Sequence, residues 1–216
     1  MKDYITYLEQ FVTESRTQIF KMVLAQRTKH FTLVLEDLYQ MHNLSAVIRS
    51  ADIFGWQDVH IIQQKYDPKL SHAIARGAEK WLDIHRYSNT KTAIDTLRKK
   101  GYKIVATTPH TDDILLHEFN INEKSAFFFG VEKDGISDLV MNEADVHLKI
   151  PMYGFTESFN ISVAAALIMH HVTEKLRTTD MKWQLAGKEK ELIYRRWLEK
   201  SIKSIELIKK NFIKKQ

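Results

Sequence analysis

Hydrophobic and polar positions alternate in blocks whose period changes along the chain. Ile5, Leu8, Val12, Ile19 and Met22 recur at helical spacing and predict one helix over residues 3–24. FTLVLEDL (31–38) is continuously apolar before its acidic end and predicts a strand entering a loop. A helix is expected from Asn43 to Phe54, with Asn43 as its N-cap and Gly55 as its stop. Short apolar strands are expected at 59–62 (VHII), 102–108 (YKIVATT), 126–130 (AFFFG) and 146–151 (VHLKIP). Between them the pattern predicts a short helix at 71–80 and a longer one at 90–100, ended by Gly101. Ser158 to Leu176 reads as a long helix capped by Ser158, apolar through Ile161, Val163, Ala164, Ala165, Leu167 and Ile168. Leu198, Ile202, Ile205, Ile208 and Phe212 mark a final amphipathic helix with a lysine-rich outer face. Strands alternating with helices imply an α/β fold, a mostly parallel sheet covered by helices on both faces.

The organisation expected is a helical extension at 1–24, an α/β domain at 25–178, and a basic helical extension at 179–216. Thr178–Lys190, with Gly187, is the natural linker. Charge sharpens this division. Between Lys182 and Gln216 lie eleven of the 32 Lys/Arg but only four of the 27 Asp/Glu. A basic appendage on a near-neutral body fits a polyanionic partner, nucleic acid above all. An ordinary solvated amphipathic helix would carry the same charge pattern.

Composition removes several chemistries. With no cysteine there are no disulfides, no thiolate nucleophile and no sulfur-held zinc. No apolar stretch has the length of a membrane span, the N-terminal residues show no secretory pattern, and a cytoplasmic location is expected. Neither a dinucleotide-binding GxGxxG nor a P-loop lysine motif occurs among the seven glycines. The ten histidines show no helical ligand pair beside a carboxylate, so no metal is expected. Gly130, Gly135 and Gly154 cluster near Pro151, where apolar strands end. In open α/β sheets ligands bind beyond such ends, and glycine admits close approach to the backbone. Ordinary strand-to-loop turns would place glycines there as well.

Three segments stand out together: NLSAVIRSADIFG (43–55), FFFGVEKDGIS (127–137) and IPMYGFTESFNISVAAAL (150–167). In this order they resemble the three motifs of the SpoU-type RNA ribose 2′-O-methyltransferases, of the knotted SPOUT class. The matching residues are Asn43 and Arg49, then Gly130, Glu132 and Gly135, then Pro151, Ser158, Asn160 and Ser162. The resemblance spans about residues 31–175. It implies an α/β domain closed by a deep trefoil knot, a homodimer, and S-adenosylmethionine as cofactor. It implies catalytic roles for Arg49, Asn43, Ser158 and Asn160, and a cofactor pocket lined by Thr107, Gly130, Glu132, Ile150, Met152 and Phe159. The flanking helices fit best the family members that act on guanosine 18 in the tRNA D-loop. Alternatives are another tRNA position, rRNA, or an RNA-binding module without catalysis. A structural protein whose amphipathic tail holds an acidic partner would leave the three segments unexplained.

Arg49 is an unusual guanidinium in an otherwise small and apolar helix; paired with Asp52 three residues on, it would be merely structural. The RNA contacts expected are Arg76 and Lys80 on the core, and Lys200, Lys203, Lys209 and Lys210 on the tail, continuing to Lys214 and Lys215.

Overall fold

A computed structural model describes residues 2–38, 40–64, 77–109, 113–130 and 135–214. The chain divides into two compact units, one of residues 28–183 and one in which residues 1–27 join residues 184–216.

The larger unit is built on seven parallel strands: β1 (Phe31–Glu36), β2 (Asp58–Ile62), β3 (Asp83–Tyr87), β4 (Lys103–Thr107), β5 (Ile114–Leu115), β6 (Ser125–Phe129) and β7 (Val146–Lys149). Their order across the sheet is β3-β2-β1-β6-β4-β7-β5. The central pair is β1 against β6, with Leu33 opposite Phe127 and Leu35 opposite Phe129. Every residue of both strands is buried, which explains why FTLVLE and SAFFF are nearly unbroken apolar runs and not alternating ones.

Successive side chains feed two cores. Leu33, Leu35, Val105, Phe127 and Phe129 pack with Val47, Ala51, Ile168 and Val172 on one face. These helical residues belong to α3 (Met41–Ile53) and α6 (Ile161–Arg177). On the other face Val34, Ile62, Ile104 and Phe128 meet Ile94 and Leu97 of α4 (Thr90–Lys99) and Val140 of α5 (Asp138–Glu143). α4 is capped by Asn89, whose side chain accepts from Thr92 N at 2.8 Å, and it ends at Gly101, where φ is +81°. β3, β5 and α5 escape the pattern: β3 is a half-buried edge strand with charged residues, β5 has two residues, and α5 barely exceeds one turn. Most of the helix expected at 71–80 lies outside the described residues; 78–80 form a single 3-10 turn.

The smaller unit corrects two expectations. The segment 3–24 is two helices, α1 (Lys2–Glu9) and α2 (Glu14–Leu24). Thr13 takes an extended conformation and its side chain accepts from Arg16 N, so the second helix restarts with its own cap. The restart resets the helical phase. Ile19 and Met22 are 49% and 64% exposed, while Thr17, Phe20 and Leu24 are buried. The tail is likewise two helices, α7 (Gly187–Ser201) and α8 (Ile205–Ile213), separated at Ser204, whose φ is +56°. α7 begins inside the stretch expected to be a linker. Within this unit Phe20 meets Trp197 edge-on at 5.8 Å, and Arg27 lies over the same indole at 5.3 Å. The Tyr194 hydroxyl donates to Glu9 at 2.6 Å, and this bond together with burial raises the phenol's pKa. No helix among the described residues is long and apolar enough to cross a membrane.

In the larger unit, Trp56 anchors the approach to β2. It is fully buried, and its indole N–H donates to Thr173 of α6 at 2.9 Å. Thr173→Val keeps the shape and strands this donor. Urea denaturation is expected to show a loss of about 1–3 kcal/mol.

Candidate active site

Adjacent strands β6, β4 and β7 bring three strand ends together. Thr107 closes β4 and donates its hydroxyl to the Phe128 carbonyl at 2.8 Å. Ile150 follows β7; it and Met152 are half-buried. Phe159, further along the irregular segment 150–160, is 40% exposed. Gly130 ends β6, but its need for glycine comes from the chain itself. A Cβ there would run into the backbone carbonyl of Gly135. The close approach inferred from the sequence as that of a ligand is, in this structure, the protein's own returning loop. Glu132 lies outside the described residues, as does Arg76.

The second component is a pair of helix starts. α3 begins at Met41 with Gln40 at its cap position, so Asn43 is not the N-cap. It sits in the first turn, buried, and donates to the Gln40 side chain at 2.7 Å. Its own oxygen accepts from Asn160 Nδ2 at 3.2 Å. Asn160, not Ser158, caps α6, accepting from the Ser162 amide at 2.9 Å and from its hydroxyl at 2.6 Å. Ser158 is exposed and precedes the cap. The correction has a simple cause: Asn160 spends its oxygen on the helix and its amide on Asn43. One residue thus ties the first and third motif segments together across 117 positions.

Arg49 lies six residues beyond Asn43 on α3, about 9 Å further along the axis. Its side chain is exposed, and among the described residues no hydrogen bond or ion pair engages the guanidinium. In particular it makes no salt bridge to Asp52, so the structural pairing considered for it is not formed. Arg49, Asp52, Ile53, Gly77, Ala78, Lys80 and Trp81 line a cavity of about 500 Å³. Lys80 and Arg49 thus line one opening.

On the tail, Lys200, Lys203 and Lys210 are exposed. Lys209 is held by Glu206 at 3.0 Å and Glu199 at 3.9 Å, which weakens it as a phosphate contact.

Two site residues were missed from sequence. Glu36, at the end of β1, is a buried carboxylate. It accepts from the Thr90 hydroxyl, and from both the amide and the hydroxyl of Ser137, at 2.5, 3.0 and 2.8 Å. It thereby holds Ser137, two residues after Gly135. Asp37 follows in the left-handed region, φ +51°, with its carboxylate accepting from Gln64 N at 2.7 Å. The signal was an acidic pair directly after an apolar strand, a place where a buried charge must be organising something.

Strand ends of a parallel sheet covered on both faces, together with two helix starts that Asn160 ties to each other, define an α/β domain of the ligand-binding class. The chain belongs to the SpoU rRNA Methylase family, whose model matches residues 30–170. It is 39% identical over 204 residues to a tRNA (guanosine(18)-2'-O)-methyltransferase of Borreliella burgdorferi, covering 94% of each chain. The crystal structure of the A. aeolicus TrmH/SpoU tRNA modifying enzyme superposes with a TM-score of 0.79 at 25% identity, covering 88% of this chain and 98% of that one. The SpoU methyltransferase AviRb of Streptomyces viridochromogenes, solved with AdoMet, shares the fold at TM-score 0.64 and 19% identity, over 72% and 64% of the two chains.

Glu36→Gln places an amide among three donors. Denaturant titration is expected to show a loss of about 1–3 kcal/mol.

Proposed function

We propose that this protein methylates the ribose 2′-hydroxyl of guanosine 18 in tRNA, with S-adenosylmethionine as donor. The observation that carries the reading is the guanidinium of Arg49, unpaired among the described residues, at a cavity it shares with Lys80, on the helix whose first turn is tied to the start of α6. Family membership and the substrate named for the Borreliella relative support the same reaction and position.

The donor set suits the cofactor. Thr107, Gly130, Ile150, Met152 and Phe159 supply strand-end backbone groups and apolar side chains, the surroundings an adenine and a thioether need. Glu132 is the remaining candidate for this pocket. When bound, S-adenosylmethionine supplies an electrophilic methyl on a sulfonium. The chain's own task is to hold the ribose hydroxyl in line and to provide for its proton. Arg49 is unsuited to be the base, because a guanidinium keeps its proton in proteins. It holds the substrate phosphate by a fork of hydrogen bonds and stabilises the alkoxide as it develops. The proton leaves to phosphate or water. Asn43 and Asn160 fix the helix starts around this point, and Ser158 stands exposed ahead of them.

RNA is the partner. Lys80 and Arg76 contact it on the core, and Lys200, Lys203 and Lys210 on the tail, with Lys209 reduced to a structural role by its carboxylates. The working form is a cytoplasmic homodimer. Tyr153 and Phe155 are 95% and 107% exposed, and Val163 and Leu167 show an apolar face on α6; a second copy would cover them. No metal takes part in the methyl transfer. The knot of the SPOUT class belongs to the same reading.

Arg49→Lys keeps the charge and loses the fork. Its single-turnover rate on unmodified tRNA is expected to fall about 100-fold, while calorimetry with S-adenosylmethionine gives an affinity within a few-fold of wild type. A near-normal rate contradicts the bidentate role.

A further inference from the structure

A cluster of residues that the methyl-transfer reading does not use lies on β2 and β3, starting from their amino-terminal residues. In the register of these strands Asp58 stands opposite Asp83 and His60 opposite His85. The two imidazoles stack, with centroids 4.6 Å apart and planes at 17°. Asp58, His60 and His85 each offer a ligand atom, and the three atoms lie within 4.8 Å of one another.

We propose that Asp58, His60 and His85 form a binding site for one divalent cation of the zinc type. Two imidazoles and a carboxylate are a donor set such ions favour, with water completing four ligands. The second observation is His60 itself. It is fully buried, yet its Nε2 has no hydrogen-bond partner among the described residues. Its Nδ1 is 2.9 Å from the Tyr87 hydroxyl. A ring that donates Nδ1–H to an outer partner and keeps Nε2 bare is in the form a metal takes.

His85 closes the site. Its Nε2 lies 3.1 Å from Asp58 Oδ1, and its side chain is 34% exposed, which gives an ion a way in. Bonds of about 2.0–2.1 Å in the plane of each ring require the donors to draw together and His85, the partly exposed member, to turn out of its stack with His60. Lys29 is the competitor. Its ammonium is 3.3 Å from both Asp58 and Asp83 and neutralises the pair when no metal is bound. On metal binding it keeps Asp83 and gives up Asp58. The helical pattern sought in the sequence did not reveal this site, because its ligands come from neighbouring parallel strands.

The test is titration of the full chain with zinc chloride by calorimetry and with cobalt chloride by visible absorption. One equivalent is expected, with the absorption bands of tetrahedral cobalt and a zinc-dependent rise in Tm. His85→Ala, at the partly exposed position, should fold and lose affinity at least about tenfold, with no rise in Tm. Lys29→Met removes the competing charge and should tighten binding at least about tenfold. Absence of stoichiometric uptake overturns the proposal. So does uptake unchanged by His85→Ala, which would put the ion on other histidines, and so does an affinity that Lys29→Met leaves equal or weaker.

Discussion

The pairing of β1 with β6 is the constraint on which the rest depends. Both strands are buried on both faces, so nothing ionic is free along their length except where it is fully partnered. Polar chemistry is driven to the strand ends. At one end Glu36 spends its carboxylate on Thr90 and Ser137. Starting from the other, Asp58 and the two histidines make a compact polar network around Lys29. The same burial requires glycine at position 130, since the returning backbone leaves no space for a side chain.

The strands and the longer helices were legible because burial on two faces leaves an unmistakable apolar run. β3 was not, because an edge strand with Asp83, His85 and Arg86 has no such signature. The helix breaks near Thr13 and Ser204 were hidden for a different reason. The apolar series steps across the breaks by seven residues (Val12 to Ile19) and by three (Ile202 to Ile205), both compatible with one helical face, although a cap or a positive φ resets the phase. For the site, the motif segments pointed to Arg49, Asn43 and Asn160. They could not tell that Asn160 caps its helix while bonding Asn43, which only the fold brings near. Glu36 was missed because a carboxylate's partners are distant in sequence: Ser137 is 101 residues away.

Arg49 gains its significance from what it lacks. A structural arginine in a helix finds a carboxylate one turn away, and Asp52 is there, yet the two do not pair. Among the described residues no carboxylate engages the Arg49 guanidinium, and such a cation offers an anion a ready site. In the proposed mechanism this charge holds a phosphate and stabilises the developing alkoxide. Permanent charge makes arginine better for this than any residue able to give up its proton near neutrality.

The central claim is that this charge serves methyl transfer to one ribose. Incubating the protein with unmodified tRNA and methyl-labelled S-adenosylmethionine, followed by position-resolved nucleoside analysis, tests it most directly. The account predicts label in 2′-O-methylguanosine at position 18. Label on a base, label at another position, or none at all would contradict it.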